Sequence, residues 1–277
     1  MKITIITPCY NAEDYIEDTI LSIINQCNDS LGNHYIEHII CDGSSQDRTV
    51  EIAERFIESK NDRYKSIIIS EPDKGMYDAL AKGLKRASGD IISYLNAGDL
   101  YEKGSFISIL NEFKQIEVDW VTGRRILINE ENIEIRNNLP YKYRNNLLLS
   151  GVYGKKIFVF LKLPFIQQES TFWRKEINKY INLNELSKFK LAGDYFIWSS
   201  FAQKDIDLKI IDKKIGKFKI HDNQLSSNRK SYESEVSIMS KKPNIFMFPL
   251  ILIDLLGWIK SYKLSEIKNK KNIFKKL

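Results

Sequence analysis

Cysteine is scarce. The 277 residues contain three, Cys9, Cys27 and Cys41, without Cys-x-x-Cys spacing and without paired histidines that would complete a ligand set. That excludes a disulfide framework and a zinc site, and it fits a reducing, cytosolic setting. Proline is equally sparse, with six residues, and no low-complexity linker interrupts the chain before residue 260. Long apolar runs are missing as well. One lysine and four residues precede Thr7-Pro8, too little for the apolar region of an export signal, so a cytoplasmic location is expected. Residues 245–259 are apolar apart from Pro249, Asp254 and Gly257, but 15 helical residues reach only about 22 Å, short of the ~30 Å hydrocarbon core.

A charge excess is missing from most of the chain too. The net +6 lies entirely in residues 260–277, which hold seven lysines and one acid, Glu266. Residues 1–259 are neutral, which argues against nucleic acid as a partner. What is present, 43% hydrophobic and 28% charged residues, is the balance of a soluble globular protein.

The first hundred residues alternate short β-branched runs with helix-period segments, the pattern of βαβ units around a parallel sheet. Lys2–Thr7, Ile36–Cys41, Ser66–Ser70 and Ile91–Leu95 read as strands. Between them, helices are predicted with apolar faces at Ile16, Ile20 and Ile24, over Asp47–Ser59, and at Met76, Leu80, Leu84 and Ala87, with Asn11 as the cap of the first. Each strand ends in a polar segment: Thr7–Asn11, Asp42–Ser45, Glu71–Gly75 and Asn96–Asp99. In a parallel sheet these ends share one edge, where such folds bind ligands. Beyond Glu102 a helix is expected over Phe106–Phe113, a strand pair over Trp120–Ile128 and Ile133–Ile135, and another helix over Leu191–Phe201. Tyr141–Lys162 has no clear assignment. One continuous domain to about residue 225 is the simplest account, with 226–277 as a helical, basic extension.

Asp99 follows a buried strand beside a glycine, which suits either a cation or phosphate at the sheet edge or a plain turn. Asp42, in Asp-Gly-Ser-Ser, has the same two readings. Tyr10 suits stacking on a flat base or simple packing. The choice is made by seven segments that occur in order: Thr7-Pro8-Cys9-Tyr10-Asn11-Ala12-Glu13, Cys41 to Thr49, Glu71 to Ala79, Ser88-Gly89-Asp90, Leu95-Asn96-Ala97-Gly98-Asp99, Gln168 to Arg174, and Ala192-Gly193-Asp194-Tyr195. Together they resemble the family 2 glycosyltransferases, and most closely the bacterial subgroup that builds surface polysaccharides.

The resemblance implies an α/β protein of the GT-A type, with a Rossmann-like, mostly parallel central sheet flanked by helices and a C-terminal helical extension. It implies an inverting, non-processive transfer from a nucleotide-sugar donor, with UDP first among the nucleotides, to a glycan or lipid-linked acceptor. Donor contacts are implied for Thr7, Pro8, Tyr10, Asn11, Glu13, Asp42, Asp73, Gly75, Asn96, Ala97 and Gly98. A carboxylate suits base and ribose because it accepts from imide N–H and hydroxyl groups, and a glycine lets backbone approach a ligand. Asp99 matches the last carboxylate of the Asp-x-Asp type motif that holds Mg or Mn, with His221 as a second metal ligand. Asn96 and Gly98 stand where the other acids are usual, so a cation would lean on phosphate and water. Asp194 matches the catalytic base, against the simpler reading that it caps the helix it begins. Glu169 and Trp173 match the acceptor or sugar pocket. The Gln-x-x-Arg-Trp motif of processive synthases is absent.

Two rival functions share this fold: a sugar-nucleotide pyrophosphorylase, whose Gly-rich nucleotide loop is missing after the first strand, and a nucleotide-binding or membrane adaptor that has lost transfer. For the tail, large apolar residues at helical spacing followed by lysines read as an anchor on an anionic membrane surface through 245–277, or as a last helix packed on the domain.

Overall fold

The structure, a computed structural model, describes residues 1–27, 32–57, 61–155, 163–220 and 228–274, with side chains up to residue 263. The strands in chain order are β1 (Lys2–Cys9), β2 (Tyr35–Asp42), β3 (Tyr64–Ser70), β4 (Ile91–Tyr94), β5 (Leu100–Tyr101), β6 (Trp120–Thr122), β7 (Arg125–Ile128), β8 (Glu134–Asn138), β9 (Thr171–Arg174), β10 (Leu208–Ile210) and β11 (Gly216–Lys219). The helices are α1 (Ile16–Ile24), α2 (Thr49–Glu54), α3 (Met76–Arg86), α4 (Ser105–Glu112), α5 (Asn145–Leu149), α6 (Leu183–Leu186), α7 (Gly193–Ala202), α8 (Arg229–Met239) and α9 (Phe248–Phe274).

Seven strands form the main sheet in the order β10-β6-β9-β4-β1-β2-β3. β1 pairs in parallel with β2 and β4, and β2 with β3, while β9 runs antiparallel to both β4 and β6. The register sets Cys9 opposite Asp42, and Asp42 opposite Ser70. The four polar segments that follow β1 to β4 therefore share one edge, and backbone bonds continue the ladder into them: Gly43 N–H donates to Cys9 O at 2.9 Å and Glu71 N–H to Asp42 O at 3.0 Å.

β1 is buried along seven of its eight positions, because helices cover both faces of the sheet. A near-continuous Ile and Thr run is what such a strand requires. α3 packs Leu80 and Leu84 against Ile6 and Ile39 on one face, whereas Ile3, Ile5, Phe106, Ile109 and Phe172 fill a second core.

Three local expectations change. Asn11 does not cap α1: it takes φ 46°, and its Oδ1 accepts from Gln46 N–H at 2.9 Å, stapling the first edge loop to the second. Trp120–Ile128 is not one strand. Thr122 ends in the main sheet, the chain turns at Gly123 and Arg124, and β7 enters a second sheet of order β5-β11-β7-β8. Arg124 holds that turn through Asp212 at 2.6 Å. The apolar tail also continues, since the helix runs unbroken to Phe274, and residues 245–263 are long and apolar enough to cross a membrane by length and composition. The 15-residue limit inferred from sequence is too short.

Candidate functional site

The second edge loop is held by its own carboxylate. Asp42 is buried at the end of β2, and its Oδ2 accepts from Ser45 N–H at 3.1 Å and Ser70 Oγ at 2.6 Å, while Oδ1 accepts from Ser45 Oγ. Asp42 therefore shapes the loop first and keeps only spare lone pairs for a ligand. Asp73 sits over the same loop. A Cβ at Gly43 would lie 2.5 Å from its carboxylate oxygen, so only glycine permits that approach. Asp73 Oδ1 also accepts from Gly75 N–H at 2.7 Å, where α3 begins.

Tyr10 is 60% exposed, a flat ring standing at the edge. Pro8 is buried beside it. Glu13 is engaged by Arg48, at 3.0 Å to Nε, and this pair together with Asp47 ties α2 to the first loop. Thr7 departs from expectation, because it is fully buried and its hydroxyl meets His38 Nε2 at 2.8 Å. Its position in β1 turns the side chain into the interior, so it is not a donor-facing group. His38, bonded to Tyr64 on its other nitrogen at 2.7 Å, is held neutral by burial, its pKa lowered to about 3.

Beyond β4, the segment Asn96–Asp99 bends under α1. Thr19 Oγ1 accepts from Gly98 N–H at 2.9 Å and donates to Asp99 O at 3.0 Å. Ala97 packs against the Cys9, Ala12 and Ile16 cluster. The Asp99 carboxylate is buried and accepts from Lys219 N–H at 3.0 Å and Gln168 Nε2 at 3.3 Å. Burial pushes its pKa up to about 7, against the lowering effect of Lys219.

Glu169, in the turn Gln168–Ser170 that leads into β9, is also buried. Desolvation, and next the Asp99 charge, hold its carboxyl well above the usual range. Three oxygens around Asp99 have no hydrogen-bond partner among the described residues: Asn96 Oδ1, Gln168 Oε1 and Glu169 Oε1. No group of three or more His, Cys, Asp or Glu with metal-ligand geometry occurs among the described residues. A set of hard oxygens that leaves most positions to water and phosphate nevertheless fits Mg or Mn. His221 lies outside the described residues.

Asp194 opens α7 and sits on the same side. Its Oδ1 accepts from Tyr195 N–H at 2.7 Å and from the Tyr232 hydroxyl of α8 at 3.2 Å. Burial raises its pKa from 3.8 to about 7, with those donors pulling the other way. Glu235 of α8 fixes the segment that leads into the helix, accepting from the N–H groups of Lys190, Leu191 and Ala192 at 3.2, 3.1 and 2.8 Å. Asp194 thus satisfies one first-turn N–H through Oδ1, that of Tyr195, so both readings of the residue coexist. Gly193 is required for the approach of Tyr77, whose ring lies where a Cβ would stand, and Tyr77 in turn donates to Leu191 O at 3.0 Å.

Trp173 does not line an acceptor pocket. It is fully buried in β9, its Nε1 donates to Asn178 Oδ1 at 2.6 Å, and its ring packs edge-on against Trp198 at 5.7 Å. β9 lies between β4 and β6, and its two faces feed the two cores, Trp173 in one and Phe172 in the other. Gln168, Tyr232, Glu235 and Lys219 were missed from sequence. Each acts through a tertiary contact that has no local pattern.

The sequence model of the family described as "Glycosyl transferase family 2" matches residues 4–188. Among relatives, the Escherichia coli "UDP-Glc:alpha-D-GlcNAc-diphosphoundecaprenol beta-1,3-glucosyltransferase WfgD" is 25% identical over 239 residues, 82% of this chain and 80% of that one. A Bacillus subtilis (strain 168) glycosyltransferase named for teichuronic acid biosynthesis, TuaG, is 36% identical over 101 residues, 36% of this chain and only 37% of that one. Among solved structures, the crystal structure of residues 1–349 of S. aureus TarS in complex with UDP-GlcNAc aligns with TM-score 0.57 at 16% identity. That alignment covers 82% of this chain and 61% of that chain, and a likeness at such identity speaks for the fold alone.

Proposed function

The chain belongs to glycosyltransferase family 2, and from that premise we propose that it transfers one sugar, with inversion, from a nucleotide-sugar donor to a glycan or lipid-linked acceptor in bacterial surface-polysaccharide synthesis. The names of its relatives support a UDP-sugar as the donor and a diphosphoundecaprenol-linked saccharide as the acceptor. The observation that carries the reading is Asp194, a buried carboxylate whose pKa is raised to about 7 and whose Oδ1 is oriented by Tyr195 N–H and the Tyr232 hydroxyl.

In the proposed reaction the acceptor hydroxyl oxygen bonds to the anomeric carbon as the bond from that carbon to the diphosphate breaks. Asp194 takes the hydroxyl proton and the diphosphate leaves with the electron pair. A general base works best with a pKa near the operating pH, and burial moves Asp194 from 3.8 to about 7. Its Tyr195 and Tyr232 contacts fix the carboxylate's direction. Tyr10, Asn11 and Asp73, with the spare lone pairs of Asp42, would hold base and ribose at the sheet edge. Asp99 and the unpartnered oxygens of Asn96 and Glu169 would hold a divalent cation, whose chemistry is to offset charge on the leaving diphosphate. The unit 1–225 would carry these groups, with α8 of the extension supplying Tyr232 and Glu235.

The test is a panel of UDP-, GDP- and dTDP-sugars, each with Mn and with EDTA, followed by thermal stabilisation and donor hydrolysis. A ligand at 100 times its Kd should add about 2.7 kcal/mol to stability. Stabilisation by a UDP-sugar that needs Mn, together with slow hydrolysis, is expected. Stabilisation without any turnover would favour the nucleotide-binding adaptor, and no stabilisation by any donor would refute the reading.

A further inference from the structure

The long C-terminal helix has two unlike faces. On one, Ile251, Asp254 and Trp258 are buried. Asp254 accepts from Arg144 Nε at 2.9 and 3.1 Å and from the Tyr153 hydroxyl at 3.0 Å. Trp258 meets the Tyr143 ring at 5.4 Å, and the Tyr262 hydroxyl accepts from Arg125 at 2.6 Å. On the opposite side, at 3.6 residues per turn, stand Pro249, Leu252, Ile253, Leu256 and Ile259, all exposed, and Phe246 is exposed in the short turn just before the helix. Phe246 is 84% exposed, Leu252 57% and Leu256 60%. Lys260 and Lys263 continue that stripe and are exposed as well. A contiguous apolar stripe rimmed by cations is an interaction surface, whereas a solvated helix would present polar residues there.

The same segment passes the length and composition test for crossing a membrane, but crossing would strip Asp254 from Arg144 and Trp258 from its cleft. A helix held by one face and apolar on the other lies along a surface. We propose that the exposed face of α9 seats in the plane of an anionic phospholipid bilayer. Leu252, Ile253 and Leu256 enter the acyl boundary, with Phe246 just ahead of the helix, and Lys260 and Lys263 lie on the headgroups. Charge decides the occupant. Among the described residues a second copy presents no acid on this face to meet the lysines, whereas anionic lipid complements them. The proposal does not depend on the transfer reaction, although a lipid-linked acceptor would be met at this surface.

The test is flotation of the full chain with vesicles of phosphatidylcholine and phosphatidylglycerol at 7:3, and with phosphatidylcholine alone. The chain should float with the first, more weakly with the second, and be released by alkaline carbonate. Leu252→Glu/Leu256→Glu, on the exposed face only, should lower partitioning at least tenfold with circular dichroism and melting temperature unchanged. Lys260→Glu/Lys263→Glu should lower it several-fold and flatten its salt dependence. Four results would overturn the proposal: no flotation, equal flotation of the leucine variant, retention after carbonate, or a dimer that the leucine variant dissolves. The UDP-sugar stabilisation of these variants should equal that of the parent chain, which separates this test from that of the transferase reading.

Discussion

Replacing Asp194 by Asn should stabilise the fold as it abolishes the base. Asp194 is raised from 3.8 to about 7 by burial, so the native state binds a proton more tightly than the unfolded chain. Stability from this group is greatest at low pH and declines as pH rises between about 4 and 7. At about 1.36 kcal/mol per pH unit, the ionised carboxylate costs the native state about 4 kcal/mol at pH 8 and about 1.5 kcal/mol at pH 5. Asn carries no charge, and its Oδ1 can still accept from Tyr195 N–H and the Tyr232 hydroxyl, which Asp194 Oδ1 meets at 2.7 and 3.2 Å. Its new amide protons have no assigned acceptor, a cost of roughly 1–2 kcal/mol. The net expectation is a gain of about 2–3 kcal/mol at pH 8 that falls to about zero at pH 5, an apparent rise of several degrees in Tm at the higher pH. Thermal and urea unfolding of both proteins at the two pH values measures it. A variant no more stable than the parent at pH 8, or a difference that does not change with pH, would refute the burial argument.

Two further outcomes follow from the same structure. The logarithm of kcat/KM should climb with unit slope from pH 5 and level off above about 7, because Asp194 must be unprotonated to act and its pKa is near 7; a flat profile between pH 5 and 8 would exclude it as the base. Arg144→Ala leaves Asp254, fully buried, without its cation, and should lose about 3–5 kcal/mol in urea unfolding. Arg144→Leu/Asp254→Leu should recover most of that, and failure to do so would mean the loss is not the cost of an uncompensated buried charge.

The parts of the fold legible in the sequence are those written in local periodicity. Ile3 to Ile6, Ile36 to Cys41 and the Leu80, Leu84 spacing each declare an element, and the four polar strand ends declare the ligand edge. The break at Gly123 was hidden because Trp120 to Ile128 is β-branched or apolar enough to read as one strand, and only the pairing partners on either side distinguish the two sheets. Trp173 read as a sugar platform because an aromatic beside a motif looks the same whether its strand is central or at an edge. The raised basicity of Asp194 was illegible for a similar reason. Its cause is burial under Tyr77 and Tyr232, which lie far from it in sequence. Glu235, 41 positions beyond Asp194, carries no local sign that it holds the N–H groups of residues 190, 191 and 192. The tail's two faces were visible as spacing, but which one packs depends on Arg144 and Tyr143.

The most direct test of the central claim is transfer itself. Sugar transfer from the donor identified by the panel is measured for the parent chain and Asp194→Asn, with the UDP dissociation constant determined on the same preparations. The account predicts a loss of 10² or more in kcat with unchanged UDP affinity, as removal of a general base requires. Near-parental turnover in the variant would contradict it.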